Sequence, residues 1–117
     1  MKILIVEDDW DLAESYKGWL EIGKHQVLLA HTEVEAMTTL QQNPDIGLVF
    51  MDGSLDGTGA PDTMQLVANI RQRPTFKGRI IAISGSQHSN MILRQAGCHD
   101  SCEKGKILEK FRELGLG

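Results

Sequence analysis

The sequence predicts a doubly wound α/β domain, with a five-stranded parallel sheet and helices on both faces. Apolar runs such as residues 46–51 are too short and too uniformly apolar for half-exposed helices, and they suit strands buried on both faces. Segments with helical spacing of apolar residues alternate with these runs. Right-handed crossovers between successive parallel strands then place helices on both sides of one sheet.

The composition indicates one ordinary globular domain covering residues 1–117. The chain has 41% hydrophobic and 24% charged residues, a formal net charge of −4 and few aromatic residues. The acidic balance argues against a nucleic-acid partner, which needs a basic face. No apolar run approaches the roughly 20 residues of a membrane span, and residues 1–6 resemble a strand more than a signal peptide, so we expect no membrane association and a cytoplasmic location.

The first half of the chain contains three predicted strands and two predicted helices. The strands are the apolar runs at 2–6, 26–30 and 46–51. Asp9 is placed to cap a helix over residues 10–22, and a capping box from Thr32 to Glu35 opens a second helix that ends before Pro44. The apolar side chains expected to face inward are Leu12, Tyr16, Trp19, Leu20, Val34, Met37 and Leu40.

The second half contains two more strands and three helices. A polar loop over residues 53–61 leads to a helix that begins at Asp62 or Thr63 and runs to about residue 72. A fourth strand over 79–83, a short helix over 89–95, a weaker fifth strand over 98–103 and a last helix over 106–114 follow. The apolar side chains expected to face inward are Met64, Leu66, Val67, Ile70, Ile107, Leu108, Phe111 and Leu114.

Charged and hydroxyl side chains follow the predicted strands at the edge where open α/β sheets bind ligands. Glu7 and Asp8 follow the first strand, Asp52 the third, Ser84 the fourth and Lys104 the fifth. Three neighbouring carboxylates repel one another unless a cation joins them, and oxygen ligands suit Mg²⁺. Asp52 is then placed to attack a phosphoryl group, with Lys104 offsetting its charge and Ser84 donating a hydrogen bond to it.

Four short motifs give the chain a resemblance to a known family. They are Val6-Glu7-Asp8-Asp9, Met51-Asp52, Ile83-Ser84-Gly85 and Ala96-Gly97, the last followed by Lys104. In this order at successive strand ends, the set resembles a response-regulator receiver domain of two-component signalling, similar to the chemotaxis regulators. The resemblance covers the whole chain.

The resemblance implies a flavodoxin-like fold with strand order 2-1-3-4-5 and a signalling module that is not an enzyme. Asp52 would accept phosphate from a histidine kinase or a histidine phosphotransfer protein, and the domain would signal by docking to an output partner. Asp8, Asp52 and the backbone carbonyl of Ser54 would bind Mg²⁺ directly, and Glu7 would act through water. Ser84 would be the hydroxyl that moves toward the phosphate, and Lys104 its ionic partner.

Three departures from the family pattern concern the loops around this site. Asp56 stands where receivers usually carry proline, and its loop is about three residues longer than usual. Ser101 replaces the aromatic residue that swings inward on activation. Gly105 replaces a proline that normally follows the lysine in a cis bond, and since a non-proline cis bond costs about 2.5–4 kcal/mol, we expect a trans bond there.

Other interpretations stay open at this point. Glu7, Asp8 and Asp9 are also compatible with an acidic helix start favoured by the helix dipole. A binding-only pseudo-receiver that works without phosphorylation is the main alternative function. A flavin-binding protein is disfavoured by the acids after the first strand, and an aspartate-based phosphatase by Ser54 two residues after Asp52.

The two cysteines are predicted to be small buried hydrophobic residues. If Cys98 and Cys102 share an extended strand, their Cα atoms lie about 13 Å apart at ~3.3 Å per residue, which is too far for a disulfide. Two cysteines are also too few for a structural zinc site.

Overall fold

The computed structural model describes residues 1–58 and 60–115, and its strands form the predicted parallel sheet. The strands are β1 (Lys2–Val6), β2 (Gln26–Ala30), β3 (Leu48–Asp52), β4 (Arg79–Ile83) and β5 (Asp100–Cys102). Their order in the sheet is β2-β1-β3-β4-β5, with every neighbouring pair parallel. The predicted fold class and strand order are therefore confirmed.

Five helices connect the strands, and side chains at their first turns explain where three of them begin. The helices are α1 (Trp10–Glu21), α2 (Glu33–Gln42), α3 (Met64–Arg71), α4 (Gln87–Ala96) and α5 (Ile107–Glu113). Asp9 and Thr32 cap α1 and α2 as expected, each accepting a backbone N–H three residues on. Helix α4 begins two residues before the predicted start because the Ser86 hydroxyl accepts the N–H of Ser89 and caps it.

Alternate residues of the central strands pack into two separate hydrophobic layers, one on each face of the sheet. Leu4 and Val6 of β1 pack with residues of α2, α3 and α4 on one face of the sheet. Ile3 and Ile5 pack with residues of α1 and α5 on the other face. Since both faces are covered, every residue of β3 is buried, as are all residues of β1 and β4 after the first.

The prediction that Val34 faces inward is wrong, because its side chain is 76% exposed. The buried stripe of α2 passes through Ala36 and Leu40, which are one turn apart. Val34 precedes Ala36 by two residues, about 200° around the helix, so it points to solvent. Trp19 lies at the edge of the inward face of α1 and stays 39% exposed.

The last strand is shorter than predicted, and the peptide bonds of the loop after it are trans. Strand β5 has three residues, all of intermediate burial, instead of the predicted run over 98–103. Gly105 has a φ of 85°, and no cis peptide bond occurs in residues 1–58 and 60–115, as expected for the Lys104–Gly105 bond. Both cysteines are free thiols, as predicted, but only Cys98 is buried, whereas Cys102 is of intermediate burial. None of the helices in the described ranges combines the length and apolar character needed to cross a bilayer.

Candidate functional site

The pairing of β1 with β3 brings the predicted carboxylates together. Val6 lies opposite Met51, so Glu7 and Asp52 leave neighbouring strands at the same edge of the sheet. One carboxylate oxygen from each of Glu7, Asp8 and Asp52 lies within 4.8 Å of the others. Glu7 is completely buried and Asp52 is 2% exposed, so two of the three acids are shielded from bulk water.

Lys104 is the cation at this cluster. Its Nζ lies 3.3 Å from Glu7 Oε1 and 3.4 Å from Asp52 Oδ1, while about a third of its side chain remains exposed. The loop after β5 therefore delivers a positive charge to acids that come from β1 and β3. The sequence predicted this convergence from the order of the strand ends.

The protonation of the cluster follows from burial and mutual repulsion. Burial is the largest cause that raises the pKa of Asp52, to about 9, and the neighbouring Glu7 and Asp8 carboxyls add to it. Hydrogen bonds with Asp52 and Glu7 outweigh the effect of burial on Asp8 and lower its pKa. Burial alone would lower the pKa of Lys104, but the charges of Asp52 and Glu7 raise it. Without a metal, burial and the neighbouring carboxyls therefore favour the protonated form of Asp52.

The same residues fit a divalent cation. Asp52 Oδ2 is a buried oxygen without a hydrogen-bond partner among the described residues, and the Lys104 ammonium at 3.3 Å is the neighbour of buried Glu7 Oε1. Buried polar atoms are normally paired, because leaving them unpaired costs free energy. An oxygen-rich acidic pocket, partly open at Asp8, is a suitable donor set for Mg²⁺.

The two predicted serine positions lie beside the carboxylates. The backbone N–H of Ser54 donates to Asp52 Oδ1 at 3.2 Å, and the Ser54 hydroxyl donates to Asp56 Oδ1 at 3.0 Å. Ser84 follows Ile83, which is opposite Asp52 in the sheet, and its nearly buried hydroxyl accepts the N–H of Ser86. A metal-ligand role for the Ser54 carbonyl stays a prediction.

The side chains of Asp62 and Thr63 bond to the loop after Asp52. The sequence indicated only that a helix begins at these residues. The Asp62 carboxylate accepts the backbone N–H groups of Leu55 and Asp56 at 2.9 and 3.0 Å. The Thr63 hydroxyl is buried and donates to the carbonyl of Asp52 at 2.9 Å. Asp and Thr before a helix usually act as caps. Here they stabilise the longer loop instead, which sequence spacing did not indicate.

An aromatic pair that the sequence did not connect with the site supports the loop after β1. His31 Nδ1 lies 2.9 Å from the carbonyl oxygen of Glu7. Its ring stacks on Trp10, with centroids 3.4 Å apart and planes inclined by 25°. The His31 backbone N–H donates to the Glu35 carboxylate. These contacts link the loops after β1 and β2 and help to fix the segment that carries Glu7 and Asp8.

Comparison with known proteins agrees with this geometry. A family model described as the response regulator receiver domain matches residues 3–112. The chain is similar to a two-component response regulator from Clostridium difficile, with 25% identity, coverage of 98% of this chain and 92% of that one, and a TM-score of 0.82. It is also similar to the receiver domain of NtrX from Brucella abortus, with 26% identity, 97% coverage of both chains and a TM-score of 0.79.

A third structure supports the fold alone. The BeF3-activated N-terminal receiver domain of Klebsiella pneumoniae RstA has 22% identity, coverage of 99% of this chain and 98% of that one, and a TM-score of 0.81. A search of curated protein sequences gives no significant match. The family model spans nearly the whole chain, and the acidic cluster lies where the family motifs predict it. The chain therefore belongs to the family of response regulator receiver domains.

Proposed function

We propose that the chain is a single phosphoacceptor receiver domain of a two-component phosphorelay and not an enzyme, with Asp52 as the acceptor. The observation that carries the proposal is the contact of buried Asp52 with both Lys104 and two further acids, Glu7 and Asp8. A buried acid with a strongly perturbed pKa and a specific charged partner is typical of a reactive site. The donor is the phosphohistidine of a histidine kinase or histidine phosphotransfer protein.

In the proposed reaction, a carboxylate oxygen of Asp52 attacks the phosphorus of the phosphohistidine. A P–O bond forms, the P–N bond breaks, and the leaving imidazole nitrogen takes the electron pair and a proton from solvent. Ser54 N–H holds Asp52 Oδ1, which restricts the orientation of the attacking carboxylate. Burial of Asp52 keeps the acyl phosphate largely away from water.

Lys104 and Ser84 act on the phosphoryl group in this proposal. The Lys104 ammonium is already within 3.4 Å of Asp52 and offsets negative charge on the phosphoryl oxygens. The Ser84 hydroxyl donates a hydrogen bond to one of these oxygens and can still accept the N–H of Ser86, because a hydroxyl donates and accepts at the same time.

Glu7, Asp8, Asp52 and the Ser54 carbonyl would hold Mg²⁺. When bound, the ion neutralises the cluster and offsets the phosphoryl charge. Asp52 must be ionised to act as the nucleophile, and a cation held by these residues would favour the ionised form. A cytoplasmic location belongs to the same proposal, because such donors are made from ATP.

Phosphorylation of the intact protein by acetyl phosphate and Mg²⁺ tests this function. Intact-mass spectrometry should show the addition of one phosphoryl group, and Asp52→Asn should abolish it. Asp45→Asn is the matched control, because Asp45 is exposed and pairs with Lys2 at the opposite end of β1 from the cluster. Labelling of the Asp52→Asn protein at another residue would contradict the assigned role.

The second candidate function is a phosphorylation-independent interaction module. It is favoured by Ser101, which lines an open groove where related domains carry a moving aromatic side chain. Unlabelled wild-type protein that still binds Mg²⁺ would favour this function over the first. In both cases the output partner docks on the surface of the domain.

A further inference from the structure

Lys104, which supplies the cation at the acidic cluster, lies in a tight turn between β5 and α5. The N–H of Lys106 donates to the carbonyl of Glu103 at 3.1 Å, and Gly105 has a φ of 85°. These are features of a type II turn with Lys104 and Gly105 at its centre, because that turn needs a positive φ at its third residue. All four residues of the turn are exposed, so the packing around them does little to fix it.

One buried side chain reaches this turn from the core. Tyr16 of helix α1 is fully buried, and its hydroxyl oxygen accepts the N–H of Gly105 at 3.4 Å, across 89 positions of sequence. The Tyr16 ring packs in the hydrophobic layer beneath α1 and α5, which also contains Phe50, Ile83 and Ile107. The hydroxyl is therefore an acceptor with a fixed position, and it contacts a turn that is otherwise exposed to solvent.

The glycine at position 105 makes this contact possible. A proline there would have no N–H to donate, and its ring would fix φ near −65°. Glycine supplies the donor and also adopts the φ of 85° without a steric penalty. A Cβ at Gly105 would meet no atom within 4 Å, so the need for glycine comes from the backbone conformation and not from crowding. The contact with Tyr16 therefore stabilises a backbone conformation that the neighbouring side chains do not impose.

The bond acts on the peptide group next to the cation. The N–H of Gly105 belongs to the planar peptide that joins it to Lys104, so the bond restrains the backbone directly after Lys104. A lysine side chain is long and flexible, so the position of its ammonium, here 3.4 Å from Asp52 Oδ1, depends on where the backbone is held. Burial is the largest cause that raises the pKa of Tyr16, and the charges of Glu7 and Lys104 act on it in opposite directions. The hydroxyl is therefore neutral and within electrostatic reach of the cluster.

We propose that Tyr16 is a positioning residue for phosphoryl transfer, whose hydroxyl holds the peptide after Lys104 so that the ammonium stays beside Asp52. Among the described residues the Tyr16 hydroxyl bonds to Gly105 and to no carboxylate, so it acts through the turn. The bond is long at 3.4 Å, and hydrogen bonds at a reaction site often tighten when the reacting group is bound. The inference rests on the proposed function, because the step that Lys104 assists is the transfer to Asp52.

Amide exchange in the unmodified protein tests the restraint on the turn. Tyr16→Phe removes only the hydroxyl, and the fold should be retained, because the freed N–H of exposed Gly105 can bond to water. Exchange of the Gly105 amide with solvent, measured by NMR on ¹⁵N-labelled protein, should become about 2- to 10-fold faster. Ser15→Ala is the matched control, since it removes an exposed hydroxyl of the same helix that donates to the carbonyl of Asp11, and it should leave this rate unchanged. An unchanged Gly105 rate in Tyr16→Phe would overturn the inference.

The rate of labelling tests the role in the reaction. With acetyl phosphate and Mg²⁺, Tyr16→Phe should label Asp52 about 2- to 10-fold more slowly than the wild type, and Ser15→Ala should label at the wild-type rate. The affinity for Mg²⁺, measured by calorimetry, should not fall, because the carboxylates of the cluster are unchanged. A parallel loss of Mg²⁺ affinity in Tyr16→Phe would show general damage to the site and would contradict a positioning role.

A double-mutant cycle separates positioning from packing. In a Lys104→Met background, Tyr16→Phe should slow labelling no further, because no ammonium is left to position. The same additional loss in both backgrounds would show that Tyr16 acts on packing and would refute its action through Lys104.

A phosphoryl mimic decides the question if Lys104→Met is not labelled at a measurable rate. Mg²⁺ and beryllofluoride should slow exchange of the Gly105 amide further in the wild type but not in Tyr16→Phe, because only the wild type can tighten the bond. Equal slowing in both proteins would overturn the inference. Wild-type protein that is not labelled would contradict the phosphoacceptor proposal itself, whereas a labelled wild type with an equally fast Tyr16→Phe would overturn this inference alone.

Discussion

The acidic cluster between β1 and β3 and the groove between α4 and β5 are built on opposite principles. The cluster brings charged groups into a buried place, where Lys104 holds Glu7 and Asp52 at 3.3 and 3.4 Å. The groove, which we term the α4–β5 groove, is lined by Asn90 and Ser101 among others, and it has small side chains on a three-residue edge strand and one incompletely bonded amide. Central strands fix side chains closely and can retain unfavourable charge, whereas a short edge strand leaves open space beside it.

One carbonyl connects the two regions. The carbonyl oxygen of Cys102 accepts the N–H of Ser84, beside the cluster, and the Nδ2 of Asn90, in the α4–β5 groove. A change at either donor alters the hydrogen bonding of the other. This shared acceptor is a physical connection between the end of β4 and helix α4.

The largest expected effect is the loss of the central cation. Lys104→Met, measured by urea unfolding in the presence of a chelator, should lower the free energy of unfolding by roughly 2–3 kcal/mol, because buried Glu7 is left without a counter-charge. Lys110→Met is the control at the edge: Lys110 pairs with the more exposed Asp100 and Glu113, and its loss should cost less than about 1 kcal/mol. Equal losses of unfolding free energy in the two variants would show that the buried cluster depends on its cation no more than the edge of the sheet does.

A smaller effect of opposite sign is expected from neutralising Asp52. Its pKa is raised in the folded protein, so its contribution to stability is greatest below the unfolded pKa and declines as pH rises toward about 9. At neutral pH without metal, Asp52→Asn should therefore raise the free energy of unfolding by roughly 1–2 kcal/mol, or several degrees in Tm. Asp45→Asn is the counter-example, because the pKa of Asp45 is lowered by Lys2 and its loss should destabilise slightly.

The third effect concerns the pH dependence of metal affinity, which is a property of binding and not of stability. Because Mg²⁺ must displace the proton from Asp52, the affinity should rise with pH between about pH 6 and 8, by at most about tenfold per unit. Calorimetry in buffers with different ionisation enthalpies should show proton release. Metal binding without proton release would show that Asp52 is ionised before the ion arrives.

The positions of the cluster residues were predictable, and those of their supports were not. Glu7 and Asp52 follow apolar runs, Lys104 follows the weaker fifth strand, and parallel strands bring their ends to one edge. Asp62 and Thr63 bond back to a loop whose course depends on packing, so their local pattern indicated only a helix start. The contact of His31 with Glu7 spans 24 positions and has no signature in spacing.

The sequence by itself determined the order of strands and helices and the residues at the strand ends, because the periodicity of apolar residues and the capping side chains are local properties. Tertiary structure alone decided which oxygens remain unpaired, how far the pKa of Asp52 rises, and that Asn90 and Ser101 line one groove. These properties depend on burial and on distances between residues far apart in the chain, which only the packed sheet and helices define.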